Sequence, residues 1–122
     1  MVALDGDGNV LMGMNALASV GSERPENLWH VVLDNHAHAS TGGQRTISGH
    51  IALEKVAAAV GYRATYRAET APVFEASLRA GFGQRGPVMV LGVVEGGTLK
   101  GIGRVKETPA ELTARFSAEA RR

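Results

Sequence analysis

Near the N-terminus, in the stretch LDGDGNVLM, three oxygen-bearing side chains stand at alternate positions: Asp5, Asp7 and Asn9, with Gly6 and Gly8 between them. Such spacing suits a hard cation, and the first pattern to test is a calcium loop opening at Asp5. It fails on two positions. The sixth residue, which must turn sharply, is Val10, and the twelfth, which should be a bidentate Glu, is Ala16. A further donor, Asn35, closes the apolar run LWHVVLDN, 28 positions after Asp7. One carboxylate, one amide oxygen and one backbone carbonyl suffice for magnesium that also holds phosphate oxygens. Glycines at 6 and 8 let backbone N–H groups approach an anion at a helix start. Asp7 and Asn35 together therefore suit a magnesium ion carrying a diphosphate. The plainer alternative makes Asp7-Gly8 a simple turn and Asp5 a local cap.

The segment after Asn35, NHAHASTGGQRTISG, is polar and shows neither helical nor strand periodicity, the habit of a functional loop. His36 and His38 form an HxH pair, but no third nearby ligand completes a zinc site. His38 suits a substrate-facing hydrogen-bond donor or proton carrier, or a structural role. Ser40, Thr41 and the following Gly-Gly-Gln offer hydroxyl and backbone donors to an anion, or form a mobile surface loop.

These residues need a scaffold. Val2 to Leu4 reads as a buried strand, Leu11 to Val20 as a helix capped by Gly21, and Leu28 to Leu33 as a continuous apolar strand. Leu53, Val56, Ala57 and Val60 mark a helix that ends at Gly61, with His50 near its start. Tyr62 to Tyr66 and Val88 to Val94 read as strands. Between them lies a helix capped by Thr70 with Ala71, Phe74 and Leu78 on one side. Thr108, Pro109 and Glu111 announce a last helix carrying Leu112 and Phe116. Met12, Met14, Trp29 and His30 read as packing residues. Alternating strands and helices predict an α/β protein, three-layer α/β/α with a mainly parallel sheet. Its ligand loops lie side by side at the carboxyl ends of strands.

At 122 residues, with 44% hydrophobic and 20% charged residues and a net charge of +1, the composition is that of one globular domain. No basic excess points to nucleic acid. No apolar run approaches the roughly 20 residues of a membrane helix. The absence of cysteine excludes disulfides and thiolate metal sites and fits a cytoplasmic protein.

GDGN at 6–9 with Asn35 at the end of VVLDN resembles the metal and diphosphate motif of thiamine diphosphate-dependent enzymes. The longer stretch NLWHVVLDNHAHASTGGQRTIS is similar to phosphonopyruvate decarboxylases and, more distantly, to sulfopyruvate decarboxylase β subunits. The likeness extends to GRVKETPAELTARF. It implies that Asp7, the Asn35 side chain and the carbonyl of Ala37 hold magnesium. Gly6, Asp7, Gly8, Asn9, Asn35 and Ala37 then form the cofactor site. His38, Ser40 and Thr41 become the candidates for substrate chemistry, and Arg45 can pair with a phosphonate or remain a solvated charge. Relatives usually carry glycine where this chain has His36, so that position raises the question of a left-handed backbone.

The resemblance further implies that the glutamate activating the aminopyrimidine ring belongs to a separate pyrimidine-binding domain. None of the nine glutamates here sits in such a motif. Residues 1–122 are thus expected to form a partial thiamine diphosphate-binding domain, lacking the elements that precede GDG in relatives. It is read as a split subunit, a fragment or a misplaced start. The expected activity is decarboxylation of a small 2-oxo acid, phosphonopyruvate first and sulfopyruvate second, within an oligomer or with a partner subunit. A non-catalytic binding module is the rival reading.

Overall fold

The computed structural model describes residues 1–97, 101–103 and 105–120. In chain order its elements begin with β1 (Val2–Gly6), α1 (Asp7–Met12), α2 (Asn15–Glu23) and β2 (Trp29–Asp34). There follow β3 (Ala37–His38), β4 (Gln44–Arg45), α3 (Leu53–Val60) and β5 (Ala64–Ala68). The chain closes with α4 (Ala71–Phe82), β6 (Val88–Val93) and α5 (Pro109–Ala120). Four strands form one parallel sheet in the order β1-β2-β6-β5. The central pair, β2 and β6, are the most apolar strands, β6 throughout and β2 apart from His30 and Asp34, because both of their faces are covered.

One face packs Val32, Met89 and Leu91 against Val10, Leu17, Leu53, Ala57 and Tyr62 from the α1–α3 side. The other receives α4. Gly81 lies so close that a methyl group there would meet Val88 and Val90 at 3.2 Å, and the Phe74 ring covers Gly92. The Trp29 indole N–H donates to the carbonyl of Gly81 at 2.9 Å, fixing α4 along the strands. The three-layer α/β/α arrangement with a parallel sheet is therefore present. α4 lies over β5 and β6, whereas the same face of β1 exposes Val2 (57%) and Leu4 (71%). Among the described residues no strand borders β1 on its outer side.

Several boundaries differ from expectation. The helix expected over Leu11 to Val20 starts at Asp7 and breaks at Gly13, where the carbonyl accepts from Ala16 N–H at 2.8 Å and a new helix begins. Gly21 lies inside α2, which ends at left-handed Arg24 (φ 49°). Met12, at the end of the short α1, is 82% exposed, so it is not a core residue. His50 belongs to a turn before α3, and β5 runs to Ala68. The loop read as irregular contains an antiparallel hairpin of β3 and β4. Thr70 does cap α4 by position, but its hydroxyl makes no capping bond. Thr108 and Glu111 form the expected reciprocal box, with Thr108 N–H donating to Glu111 Oε2 at 2.7 Å. No residue of α5 is buried.

The buried pair His30 and Tyr62 joins β2 to the α3 side of the core. The Tyr62 hydroxyl lies 3.2 Å from His30 Nδ1, and His30 Nε2 lies 3.4 Å from Asp5 Oδ2. Burial holds the His30 pKa below its ordinary value, against the opposing pull of Asp5. Burial, with Asp5 adding to it, pushes the Tyr62 hydroxyl up to about 12. Because the unfolded chain takes up the His30 proton at a higher pH than the folded one, the unfolded state binds more protons in that interval. Stability therefore is full above the unfolded pKa of about 6.5 and falls as pH drops towards the folded value. Urea denaturation of His30→Gln should show a shallower loss between pH 7.5 and pH 5 than the parent chain; parallel curves would remove His30 as a source of acid sensitivity.

Candidate active site

The last paired residues of the two leading strands are Gly6 and Leu33. One position further on each chain stand Asp7 and Asp34, each only 1% exposed. Two neighbouring carboxylates removed from water need hydrogen-bond donors. They come from the far end of the β3–β4 hairpin. Thr46 Oγ1 donates to Asp7 Oδ2, and Ser48 Oγ lies 3.2 Å from the same oxygen and 2.8 Å from Asp34 Oδ1. Asp34 Oδ1 also accepts the backbone N–H of His36 at 3.0 Å, while the His36 ring Nδ1 lies 2.8 Å from Ser48 Oγ and 2.9 Å from Asp34 Oδ1. Asp34 Oδ2 is buried with no partner among the described residues.

His36 occupies the left-handed region at φ 57°. That conformation is unfavourable for a residue with a Cβ. Here the bonds to Asp34 and Ser48 hold it. Beside it the turn is fixed by Asn35, whose Oδ1 accepts Ala37 N–H at 3.0 Å.

The structure brings Asp7, Gly8, Asn35, Ala37 and His38 to one end of the sheet. His38 stacks on the glycine turn: a methyl group on Gly8 would come within 2.8 Å of His38 Cε1 and closer still to Nδ1. A side chain at position 8 would have to displace the imidazole. Gly6 has no such crowding, its nearest neighbour for a Cβ being Leu33 O at 3.9 Å. The Asn9 side chain turns away and donates to Asp5 Oδ1 at 2.7 Å, and Gly6 N–H donates to that same oxygen at 2.9 Å. Asp5 is therefore a local brace. Ser40 and Thr41 are exposed near the hairpin tip, where Thr41 Oγ1 donates to Gln44 Oε1 at 3.1 Å. Arg45 is exposed on β4 and forms no ion pair among the described residues.

The donor set suits magnesium better than zinc. Asp7 Oδ1 takes no hydrogen bond from any described residue, while Oδ2 accepts the Thr46 hydroxyl and has Ser48 Oγ 3.2 Å away, so one carboxylate oxygen is left for a cation. Asn35 and the Ala37 carbonyl add neutral oxygens, the hard ligands magnesium takes alongside phosphate and water. Among the described residues no group of three His, Cys, Asp or Glu could hold a metal ion. The supporting trio Asp34, Thr46 and Ser48 was missed from sequence. Hydroxyls in a loop have no diagnostic spacing; only the position of Asp34 at a strand end beside Asn35 carried a signal.

Residues 1–91 match the family described as thiamine pyrophosphate enzyme, C-terminal TPP binding domain. The chain is 47% identical over 118 residues to phosphonopyruvate decarboxylase of Streptomyces viridochromogenes, covering 97% of this chain and 30% of that protein. It is 40% identical to phosphonopyruvate decarboxylase of Streptomyces hygroscopicus, over 95% of this chain and 29% of the relative. Sulfopyruvate decarboxylase subunit beta of Methanococcus maripaludis is 43% identical over 61 residues, half of this chain and 33% of that protein. The chain thus spans less than a third of the length of the phosphonopyruvate decarboxylases it matches.

Proposed function

Since the chain belongs to the thiamine pyrophosphate enzyme family, through the C-terminal TPP binding domain, we propose that residues 1–122 are the diphosphate- and magnesium-binding part of a 2-oxo acid decarboxylase, with phosphonopyruvate as substrate and phosphonoacetaldehyde and CO2 as products. The observation that carries the metal site is the buried Asp7 carboxylate, tied through Ser48 to the strand end that presents Asn35. The choice of substrate draws its support from the two Streptomyces relatives, which cover nearly all of this chain.

In this reading Asp7, Asn35 and the Ala37 carbonyl hold magnesium. Backbone N–H groups of Gly8 and Asn9, in the first turn of α1, face the diphosphate, Asn9 acting through its main chain because its amide is engaged by Asp5; Gly6, whose N–H is held by Asp5, contributes its close backbone approach. Bound there, thiamine diphosphate supplies the nucleophilic carbon and the electron sink for loss of CO2. His38, pressed on Gly8, is placed next to the same turn to donate a hydrogen bond or carry a proton. Ser40 and Thr41 are candidates for substrate contact, Thr41 by exchanging its bond to Gln44. Arg45, without an ion-pair partner among the described residues, is available to a phosphonate.

The glutamate that activates the cofactor ring is assigned to a pyrimidine-binding domain or subunit that meets this face. Support for a divided enzyme comes from the relatives named as a subunit beta, and for association from the exposed Val2, Leu4, Val105 and Phe116. We place the reaction in the cytoplasm; among the described residues no helix is long and apolar enough to cross a membrane. The test is CO2 release from phosphonopyruvate and sulfopyruvate with magnesium and thiamine diphosphate, using the chain with and without candidate pyrimidine-binding partners. Turnover should require the partner and favour phosphonopyruvate. Robust turnover by the chain alone would overturn the divided site. No turnover with any partner would favour a non-catalytic module, and preference for sulfopyruvate would reassign the substrate.

A further inference from the structure

We infer that Ser48 is the positioning residue of the cation site, a single hydroxyl that locks the two ligand-bearing loops in register. This rests on the metal assignment just proposed. The ligands come from separate loops: Asp7 follows β1, and Asn35 and Ala37 follow β2. The β1–β2 pairing ends at Gly6 and Leu33, and β2 pairs on with β6 only as far as Asp34, so the sheet does not hold the two ligand loops to each other. Ser48 does. It is 3% exposed, and its Oγ reaches Asp7 Oδ2 at 3.2 Å, Asp34 Oδ1 at 2.8 Å, His36 Nδ1 at 2.8 Å and Thr46 Oγ1 at 2.9 Å.

Two of these contacts set the metal ligands directly. The Thr46 hydroxyl bonds Asp7 Oδ2 and Ser48 Oγ packs against that same oxygen at 3.2 Å, which leaves Oδ1 for the cation. With Asp34, it holds the ring of left-handed His36, and His36 stands between Asn35 and Ala37. A change in the His36 backbone would swing both the amide and the carbonyl. One serine proton cannot serve both carboxylates at once, so the hydroxyl bridges them by donating to one while Thr46 serves the other. Partners that orient ligands in this way typically contribute 10- to 100-fold to metal affinity. The Thr46 side chain reaches Asp7 and Ser48 but holds His36 only through its backbone N–H, which a valine keeps, so its loss should matter less.

The experiment titrates the chain with Mn2+ in the presence of saturating thiamine diphosphate, reading free Mn2+ by electron paramagnetic resonance, and follows thermal unfolding of the metal-free protein in parallel. Ser48→Ala should weaken Mn2+ binding by roughly 10- to 100-fold, with Thr46→Val giving a smaller loss. The unfolding midpoint of a folded Ser48→Ala chain should move by only a few degrees. Should Ser48→Ala not fold, the near-isosteric Ser48→Cys, a weaker donor, is read by the same criteria. Asp7→Asn is the control. Loss of binding in Asp7→Asn but affinity within twofold of the parent in Ser48→Ala overturns the role of Ser48 and leaves the metal site standing. Unchanged binding in Asp7→Asn instead overturns the metal assignment, and the role of Ser48 with it.

Discussion

Exchanging Asp7 for asparagine is expected to weaken magnesium-dependent binding of thiamine diphosphate by about a hundredfold or more, close to 3 kcal/mol. The substitution preserves volume and leaves an acceptor for Thr46 and Ser48, so the hydrogen bonds around position 7 can persist. What disappears is the only formal negative charge among the three proposed ligands. Amide and carbonyl oxygens alone bind a strongly hydrated dication poorly, since each gives a dipole where dehydration demands a charge. Loss of the charge also removes a buried carboxylate next to Asp34, whose own Oδ2 is unpartnered. The metal-free variant should thus be at least as resistant to urea as its parent. Calorimetry checks the first statement and denaturation the second. Unchanged cofactor binding would remove Asp7 from the metal site.

The second large effect concerns stability. Gly21 lies within α2 where that helix crosses the end of α3, and a methyl group there would overlap the Val60 carbonyl, with the carbonyl carbon only 2.6 Å away. Gly61 completes the contact: it ends α3 at φ 115°, and its own Cβ would stand 2.9 Å from Gly21 O. Alanine in place of a mid-helix glycine normally adds about 0.5–1 kcal/mol of stability. Here the obstacle is main chain, which cannot rotate aside, so α2 and α3 must separate and open the core around Leu17 and Ala57. Overpacking of this kind costs typically 1–3 kcal/mol and occasionally more. Gly21→Ala should fall at the upper end, about 2–4 kcal/mol less stable in urea. A gain in stability would show that the helices separate freely.

The sheet was legible because β2 and β6 are covered on both faces and therefore carry apolar residues at successive, not alternate, positions, as in Val31-Val32-Leu33 and Val88–Val93. The hairpin was not, because strands of two residues have no room for alternation. α1 was placed too late because Asp7, Gly8 and Asn9 favour turns, and their helical state depends on tertiary contacts, with Gly8 buried under His38. Met12 looked like core by type, yet a helix of six residues ends before that side chain reaches an apolar neighbour. For the site, the adjacency of the two loops followed from parallel strand order. Asp7 and Asn35 showed themselves by chemistry and separation. Thr46 and Ser48 did not, since hydroxyl groups that serve a buried carboxylate can come from any passing loop. The left-handed state of His36 could be foreseen from a missing glycine, but the Asp34–Ser48 clamp that tolerates it could not.

The outer border of β1 bears on how this chain behaves in a tube. Its main-chain donors and acceptors face outward beside Val2 and Leu4, an oily seat next to an open row of hydrogen-bonding groups. A second molecule can lay its own β1 there without unfolding anything. Because that encounter is bimolecular, association through this edge should grow with concentration, so dilution opposes it and concentrating the chain favours it.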